Sequence, residues 1–440
     1  MKRLLIVFCL IFLLAPSAYA GADGTTSLKE SVVMAVKQHP QIKALLHNRE
    51  AMSRNLAASL GRFFPSLDLT SKYGFQEYSS TTTRNDGSDE RQRTATDTTV
   101  AMTLNVFDGM DRIYTYQGSE ARLESAEYRL RDNVETVGLD AIRSHHDVVR
   151  ERLLVTLAQD NVEKHNELLD SITERVMAGA TSRADETQAK SRLARAFTTL
   201  ITYQGNLRAA EASYTRVTGK TPGALASPEY HPELVADMDS IMKRTMDNNP
   251  KLKAGEADLH AKEKDEKVTR SDYFPNVDVV VSSRNTDNLD GSDSYLRDNR
   301  AMLEMSWNLF SGGTDYNETQ AAKARTKEAA STLQDTTDDL IRQVVTAWTE
   351  YETAVSQVEN YERAVGYSVE TRDMYLIQFN VGQRSLLDVL DSINEVFSNS
   401  VLLETAKSNR SYSLYKLMTL RGDLIRTLEV ADKTYDPESK

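Results

Sequence analysis

The sequence contains a single cysteine, Cys9, and no apolar run long enough to form a membrane-spanning helix. Cys9 lies in an apolar run of 11 residues, 4–14, which follows Lys2 and Arg3 and precedes the small residues Ala18 and Ala20. This order is typical of a secretory signal peptide. We therefore expect residues 1–20 to be a signal peptide and the mature chain to be exported without any disulfide bond.

A surplus of positive charge is also missing. The chain has 53 Lys and Arg residues against 65 Asp and Glu residues, a net charge of −12. This balance excludes general nucleic-acid binding, which requires a basic surface. No glycine-rich phosphate loop or cysteine cluster is present, so we expect no catalytic residue, no cofactor and no metal site. His145 and His146 are adjacent, whereas helical metal-binding pairs are three or four residues apart, and we predict that they lie on a solvated helix face.

Proline is absent from two long stretches, between Pro65 and Pro222 and between Pro275 and Pro437. These stretches can therefore form very long helices. In the first, an apolar residue recurs at every seventh position, which predicts a packed and supercoiled helix. The members of this stripe are Val134, Ala141, Val148, Val155, Val162, Leu169 and Val176.

The chain is a tandem duplication. Gly179 and Gly382 are 203 positions apart, and Pro65 and Pro275 are 210 apart. We divide the chain into a first repeat, 21–227, a second repeat, 228–424, and a flexible C-terminal tail, 425–440. Each repeat is predicted to have short helices, a β-hairpin (about 65–107 and about 275–310) and long helices (109–219 and 312–422). The second hairpin is seven residues shorter, a difference that we place in its loop.

Residues alternate between apolar and polar after Pro65 and Pro275, which predicts strands of about ten residues. Such strands can cross an outer membrane at a tilt. Four strands cannot close a barrel, and open edges are costly in lipid, so membrane-spanning strands would require several copies of the chain. The alternative is a small soluble sheet that caps a helical rod. Tyr73, Phe75 and Trp307 are expected either to form an aromatic girdle at the membrane interface or to pack internally.

The run Val381-Gly382-Gln383-Arg384-Ser385-Leu386-Leu387-Asp388-Val389-Leu390-Asp391, together with the duplicated plan, resembles the TolC family of outer-membrane efflux and secretion ducts. The resemblance covers about 28–424. It implies a mixed α and β fold with an internal tandem repeat. In that fold a transmembrane β-barrel, with four strands per chain and 12 in a homotrimer, is continuous with a long periplasmic α-helical coiled-coil barrel. The implied partners are a periplasmic adaptor protein, an inner-membrane transporter and outer-membrane lipid.

The resemblance also implies a periplasmic gate formed by Asp388, Asp391, Arg384 and Asp185. Arg384 would link to the neighbouring protomer, with Asp185 as one partner, and Gly179 and Gly382 would mark tips near the adaptor. A simpler interpretation is that Asp185 and Asp388 only cap helices after Ser182 and Ser385. Phe379 and Ala184 depart from the family pattern, which has hydroxyl residues there, and this implies a gate with fewer bonds.

We therefore expect an outer-membrane duct that extends into the periplasm and belongs to a tripartite export system, with type I protein secretion as its task. Efflux of drugs or other small molecules is an alternative task. A periplasmic coiled-coil scaffold without a pore is an alternative of another class.

Overall fold

The computed structural model describes residues 24–431 except 86, 88–91 and 292–294. The predicted signal peptide and the last nine residues of the predicted tail lie outside the described residues. The helices are α1 (Leu28–Gln38), α2 (Pro40–Gly61), α3 (Thr81–Asn85), α4 (Asp111–Met177), α5 (Arg183–Thr218), α6 (Met238–Asn248), α7 (Pro250–Ser271), α8 (Thr314–Asn380), α9 (Leu386–Arg421) and α10 (Leu424–Thr427). The strands are β1 (Ser66–Glu77), β2 (Gln92–Phe107), β3 (Asn276–Asp287) and β4 (Tyr295–Ser306).

The duplication is visible in the elements. Helices α4 and α8 both have 67 residues, and α5 and α9 both have 36. A helix of 67 residues is about 100 Å long. The connection 78–91 between β1 and β2, which includes α3, is seven residues longer than the connection 288–294 between β3 and β4, so the length difference lies between the strands as predicted.

The four strands form one antiparallel sheet in the order β1-β2-β3-β4. Its inner pair, β2 and β3, joins the two repeats, and its outer edges belong to β1 and β4. One face is mostly apolar and exposed: Leu67 and Leu69 on β1 and Leu303 on β4 are each at least 70% exposed. The other face carries Lys72, Asp97 and Arg284 among its charged residues, because successive side chains of a strand point to opposite faces.

The helices continue from the sheet as one long body. Helices α2, α4, α7 and α8 pack side by side next to the sheet, and α4 pairs with α5 and α8 with α9 at the far end. The largest core cluster lies between these regions, where α1, α6 and α10 pack against α4 and α9. No helix among the described residues is both long enough and apolar enough to cross a bilayer.

The predicted valine stripe describes only part of α4. Val134, Ala141 and Val148 are buried, but Val155 and Val162 are only partly so. The stripe that stays buried along the helix runs three positions later, through Val137, Ser144, Glu151, Ala158, His165 and Ile172. It contains polar residues because α4 contacts several helices and is enclosed on more than one side.

The predicted solvated face at His145 and His146 is wrong. His145 is fully buried and His146 is 5% exposed, because α1, α5 and α9 cover this part of α4. The two nitrogens of His145 lie 2.9 Å from Ser31 Oγ and 2.9 Å from the Ala226 carbonyl oxygen. Burial lowers the pKa of His145, and it lowers the pKa of His146 to about 3.

The predicted flexible tail begins too early. Leu424 opens the short helix α10, and Ile425 and Val430 are buried in the main core cluster. The Glu135 carboxylate on α4 accepts hydrogen bonds from the backbone N–H groups of Leu424 (3.0 Å) and Ile425 (3.4 Å). Residues 425–431 are therefore part of the fold.

Candidate functional site at the helix breaks

The two long helices end in the same backbone motif. Gly179 and Gly382 have φ values of +74° and +78°, a conformation that glycine adopts without steric cost. The Ala180 N–H donates to the Arg175 carbonyl (2.8 Å), and the Gln383 N–H donates to the Gln378 carbonyl (2.9 Å). These bonds satisfy carbonyl groups that the helix ends would leave unpaired, so each break is a fixed tip with a defined turn.

The helices after the tips begin with capping interactions. Ser182 and Asp185 form a reciprocal capping box, and Asp185 also accepts a hydrogen bond from the Thr181 hydroxyl (2.6 Å). The Thr181 and Ser182 hydroxyl groups lower the pKa of Asp185. Ser385 Oγ accepts from the Asp388 N–H (3.2 Å) and donates to the Asp388 carboxylate (2.8 Å). Asp185 and Asp388 are therefore both hydrogen-bonded, as capping residues, to groups of their own chain.

Arg384 contacts its own tip. Its guanidinium carbon lies 4.0 Å from the ring centroid of Tyr375, its Nε donates to Gln378 (3.2 Å), and its Nη1 is 3.8 Å from the Asp388 carboxylate. Its side chain is 35% exposed, and within the described part of the chain no contact joins it to Asp185. The link from Arg384 to Asp185 of a neighbouring copy stays a prediction.

Asp391 has a different partner from Asp388. Arg192 on α5 donates from Nη2 to its carboxylate at 2.8 Å, which ties α5 to α9. The Asp391 side chain is 58% exposed and that of Arg192 is 26% exposed. The two aspartates that the sequence grouped together thus have unequal surroundings, and Arg192 is a site residue that the sequence analysis missed.

Arg175 is a second missed residue. It donates to the Phe379 carbonyl (3.3 Å) and to the Asn380 side chain (2.9 Å), and its guanidinium carbon lies 4.6 Å from the Phe379 ring centroid. Phe379 is only 9% exposed and packs in a cluster with Ile172 and Val389. Arg175 lies four residues before Gly179, at the repeat position of Gln378, and this spacing could have drawn attention to it.

No group of three or more His, Cys, Asp or Glu residues in the described ranges is placed to hold a metal ion. The site consists of ion pairs and hydrogen bonds that join α4 to α8 and α5 to α9 at the tips.

The aromatic side chains at the sheet are not internal packing residues. Tyr73 is 77% exposed, Phe75 is 73% exposed and Trp307 is 51% exposed. Internal packing within the chain is therefore excluded for all three.

Comparisons with known proteins agree with this architecture. Residues 32–220 and 241–423 match the family model described as "Outer membrane efflux protein". Outer membrane efflux protein BepC of Brucella suis is 24% identical over 349 residues, which cover 77% of this chain and 75% of that protein. Outer membrane protein TolC of Escherichia coli is 20% identical over 449 residues, which cover 96% of this chain and 87% of that protein.

Solved structures share the fold at low sequence identity. A crystal structure of a membrane protein from Pseudomonas aeruginosa has a TM-score of 0.81 with 16% identity, covering 92% of each chain. The outer membrane protein VceC of Vibrio cholerae has a TM-score of 0.78 with 15% identity, covering 90% of this chain and 96% of that one. The matched family model spans most of the chain and describes an outer membrane efflux protein. The chain therefore belongs to the outer membrane efflux protein family, the TolC-like channel proteins of the outer membrane.

Proposed function

We propose that this protein forms a homotrimeric duct that carries substrates from an inner-membrane transporter and a periplasmic adaptor protein across the outer membrane. The observation that carries this proposal is the sheet with two free edges and one apolar face. In lipid, each unpaired backbone group at a sheet edge costs roughly several kcal/mol. The edge strands β1 and β4 would therefore pair with strands of other copies. Three copies supply 12 strands, an even number that outer-membrane barrels use.

The two faces of the sheet set its orientation in such a barrel. The face with Leu67, Leu69 and Leu303 would contact lipid, and the face with Lys72 and Arg284 would line the water-filled lumen. Tyr73 and Phe75 lie on the lipid side, near the end of β1 furthest from the helices, and Trp307 lies just beyond β4 at the other end. This arrangement supports an aromatic girdle at both interfaces.

The helix breaks would then form the periplasmic entrance. In a trimer, Asp388 and Asp391 would recur as rings of carboxylates, which concentrate cations and repel one another when ionised. Arg384, Asp185 and the links made by Arg175 and Arg192 would hold the entrance closed. The tips at Gly179 and Gly382 would lie where an adaptor docks.

We propose an exported polypeptide as the cargo, as in type I secretion. The face that would line the lumen carries hydroxyl groups, carboxylates and guanidinium groups of both charges, among them Thr70, Asp97 and Arg284. Such a mixed polar surface suits the passage of an unfolded chain of mixed composition. The second candidate is small-molecule efflux; the description of the matched family and the name of the BepC relative both contain the word efflux, without a cargo.

The test is the conductance of the purified protein in a planar lipid bilayer under a salt gradient. We expect small, cation-preferring openings that become larger when Asp388 and Asp391 are both replaced by Asn. Asp335→Asn, a loss of the same charge on α8 far from the break, is the matched control and should leave both properties unchanged. Folded protein that neither inserts nor conducts would instead favour a periplasmic coiled-coil scaffold.

A further inference from the structure

The two hairpins have the same register once the duplication is applied. Ser66 pairs with Thr103 in the first hairpin, and Asn276 pairs with Ser306 in the second. The first members are 210 positions apart and the second members 203 apart, the same offsets that relate Pro65 to Pro275 and Gly179 to Gly382. The repeat is therefore accurate to the single residue inside the sheet.

This accuracy allows one seam to be derived from another. The inner seam joins β2 of the first repeat to β3 of the second. In a closed barrel, the equivalent seam joins β4 of one copy to β1 of the next, and we call it the closing seam. Shifting the inner register by the two offsets gives the register of the closing seam.

The derived register brings opposite charges together. Ala101 lies opposite Ser282 in the inner seam, and the same shift places Glu304 opposite Lys72. Asn105 donates to Asp278 in the inner seam (2.9 Å). The same shift places Asn308 opposite Asp68 in the closing seam.

The surroundings of Glu304 favour a cation from outside its own chain. Glu304 lies directly opposite Asp278 on β3, and like charges in this position are destabilising. Within the described part of the chain, no Lys, Arg or His nitrogen lies within 4.0 Å of the Glu304 carboxylate. Glu304 and Lys72 are both exposed on the free edges of the sheet. Lys72 of the next copy would compensate this surplus of negative charge.

Neighbouring registers do not place Lys72 opposite a carboxylate. A shift of two residues, which keeps the faces of the sheet, places Lys72 opposite Met302 or Ser306. A shift of four residues towards the start of β4 places it opposite Arg300, which is repulsive. Charge complementarity and the internal repeat therefore select the same register independently.

We propose that the closing seam pairs Lys72 of one copy with Glu304 of the next on the lumenal face, with Asp68 accepting from Asn308 beside it. This inference rests on the proposed oligomeric barrel and adds its register. The inner seam has its own lumenal ion pair, in which Arg284 donates to Asp97 at 2.9 and 3.0 Å. Its repeat positions, Gly74 and Arg300, cannot form that pair, so the ion pair of the closing seam lies two residues away on β1, at Lys72, and four residues away on β4, at Glu304.

The test is crosslinking between copies of the full chain. Cys9 is the only native cysteine and lies in the predicted signal peptide, so in the processed protein disulfide bonds would form only between introduced cysteines. We expect Lys72→Cys with Glu304→Cys to give covalent oligomers on oxidation, because opposite Cβ atoms are about 5 Å apart. The control, Lys72→Cys with Arg300→Cys, separates the thiols by four residues, or roughly 13 Å, and should stay uncrosslinked.

The outcomes separate the register from the oligomer. Crosslinking of the control pair but not of the Lys72 and Glu304 pair, in protein that still forms a trimer, would overturn the register and leave the duct intact. Absence of any oligomer on a native gel would overturn both. A second readout needs no cysteine: Lys72→Glu and Glu304→Lys should each lower the temperature at which the trimer dissociates, and the double variant should restore it.

Discussion

At the scale of single residues, the two aspartates after the second break have different roles. Asp388 is engaged by Ser385 and approached by Arg384, both within its own tip, whereas Asp391 is paired with Arg192 from another helix. The charge that Asp391 presents to solvent is therefore partly compensated. We propose that Arg192 limits the negative charge of the proposed entrance.

Replacing Arg192 by Gln should raise the preference of the channel for cations, because it leaves the Asp391 carboxylate without its partner. The measurement is the reversal potential in a planar bilayer under a potassium chloride gradient. Folding stability should change little, since exposed ion pairs contribute about 0.2–1 kcal/mol. Arg195→Gln removes the same charge from an exposed position on α5 one turn away and should have a smaller effect. Equal shifts in both variants would show that the pairing with Asp391 is unimportant.

At the scale of elements, the sequence predicts what depends on local backbone chemistry. The positions of the strands follow from Pro65 and Pro275 and from alternation, and the helix breaks follow from Gly179 and Gly382. Each of these signals acts through the residue's own φ value or hydrogen-bonding capacity. Local signals of this kind do not depend on which other helix lies nearby.

What the sequence could not predict depends on helices that are distant in the chain. His145 is buried because Ser31 and Ala226 lie beside it, and Phe379 is part of the site because Arg175 lies over its ring. A hydrophobic pattern cannot identify a polar residue that is buried with a partner. For the same reason, the seven-residue repeat of apolar residues does not identify the buried stripe through Ser144 and His165.

The glycine at the second break gives a test at this scale. Gly382→Ala should destabilise the tip by about 1 kcal/mol, because alanine at a φ of +78° is strained although nothing lies within 4 Å of the added Cβ. Gly205→Ala, in the interior of α5 and equally open, should stabilise its helix by about 0.5–1 kcal/mol. Denaturant midpoints followed by circular dichroism would compare the two. The same direction of change in both variants would contradict this account of the break.

At the scale of the whole molecule, the main core cluster is where the two repeats are joined. It contains residues from α1 and α4 of the first repeat, from α6 and α9 of the second, and from α10, which begins at the last residue of the second repeat. Glu135 lies at this junction, close to Asp423, and binds the first N–H groups of α10. A buried titratable group at this junction links the stability of the whole chain to pH.

Because of Glu135, the free energy of unfolding should fall as the pH rises from about 4.5 to about 8. Burial raises the pKa of Glu135 to about 8, so the folded state keeps a proton that the unfolded state releases above about 4.5. Fewer protons bound in the unfolded state mean that stability decreases with pH over this window, by on the order of a few kcal/mol.

Glu135→Gln keeps an oxygen acceptor for the Leu424 N–H but cannot ionise, so its guanidinium midpoint should change less between pH 5 and pH 8. Glu127→Gln removes an exposed carboxylate from the same helix and should retain the parent's pH dependence. Buried His146, with a pKa lowered to about 3, acts in the opposite direction, because it costs stability as the pH falls below about 6.5. A pH profile of Glu135→Gln that matches that of the parent would mean that Glu135 is ionised in the fold and that its two N–H bonds outweigh the cost of burial.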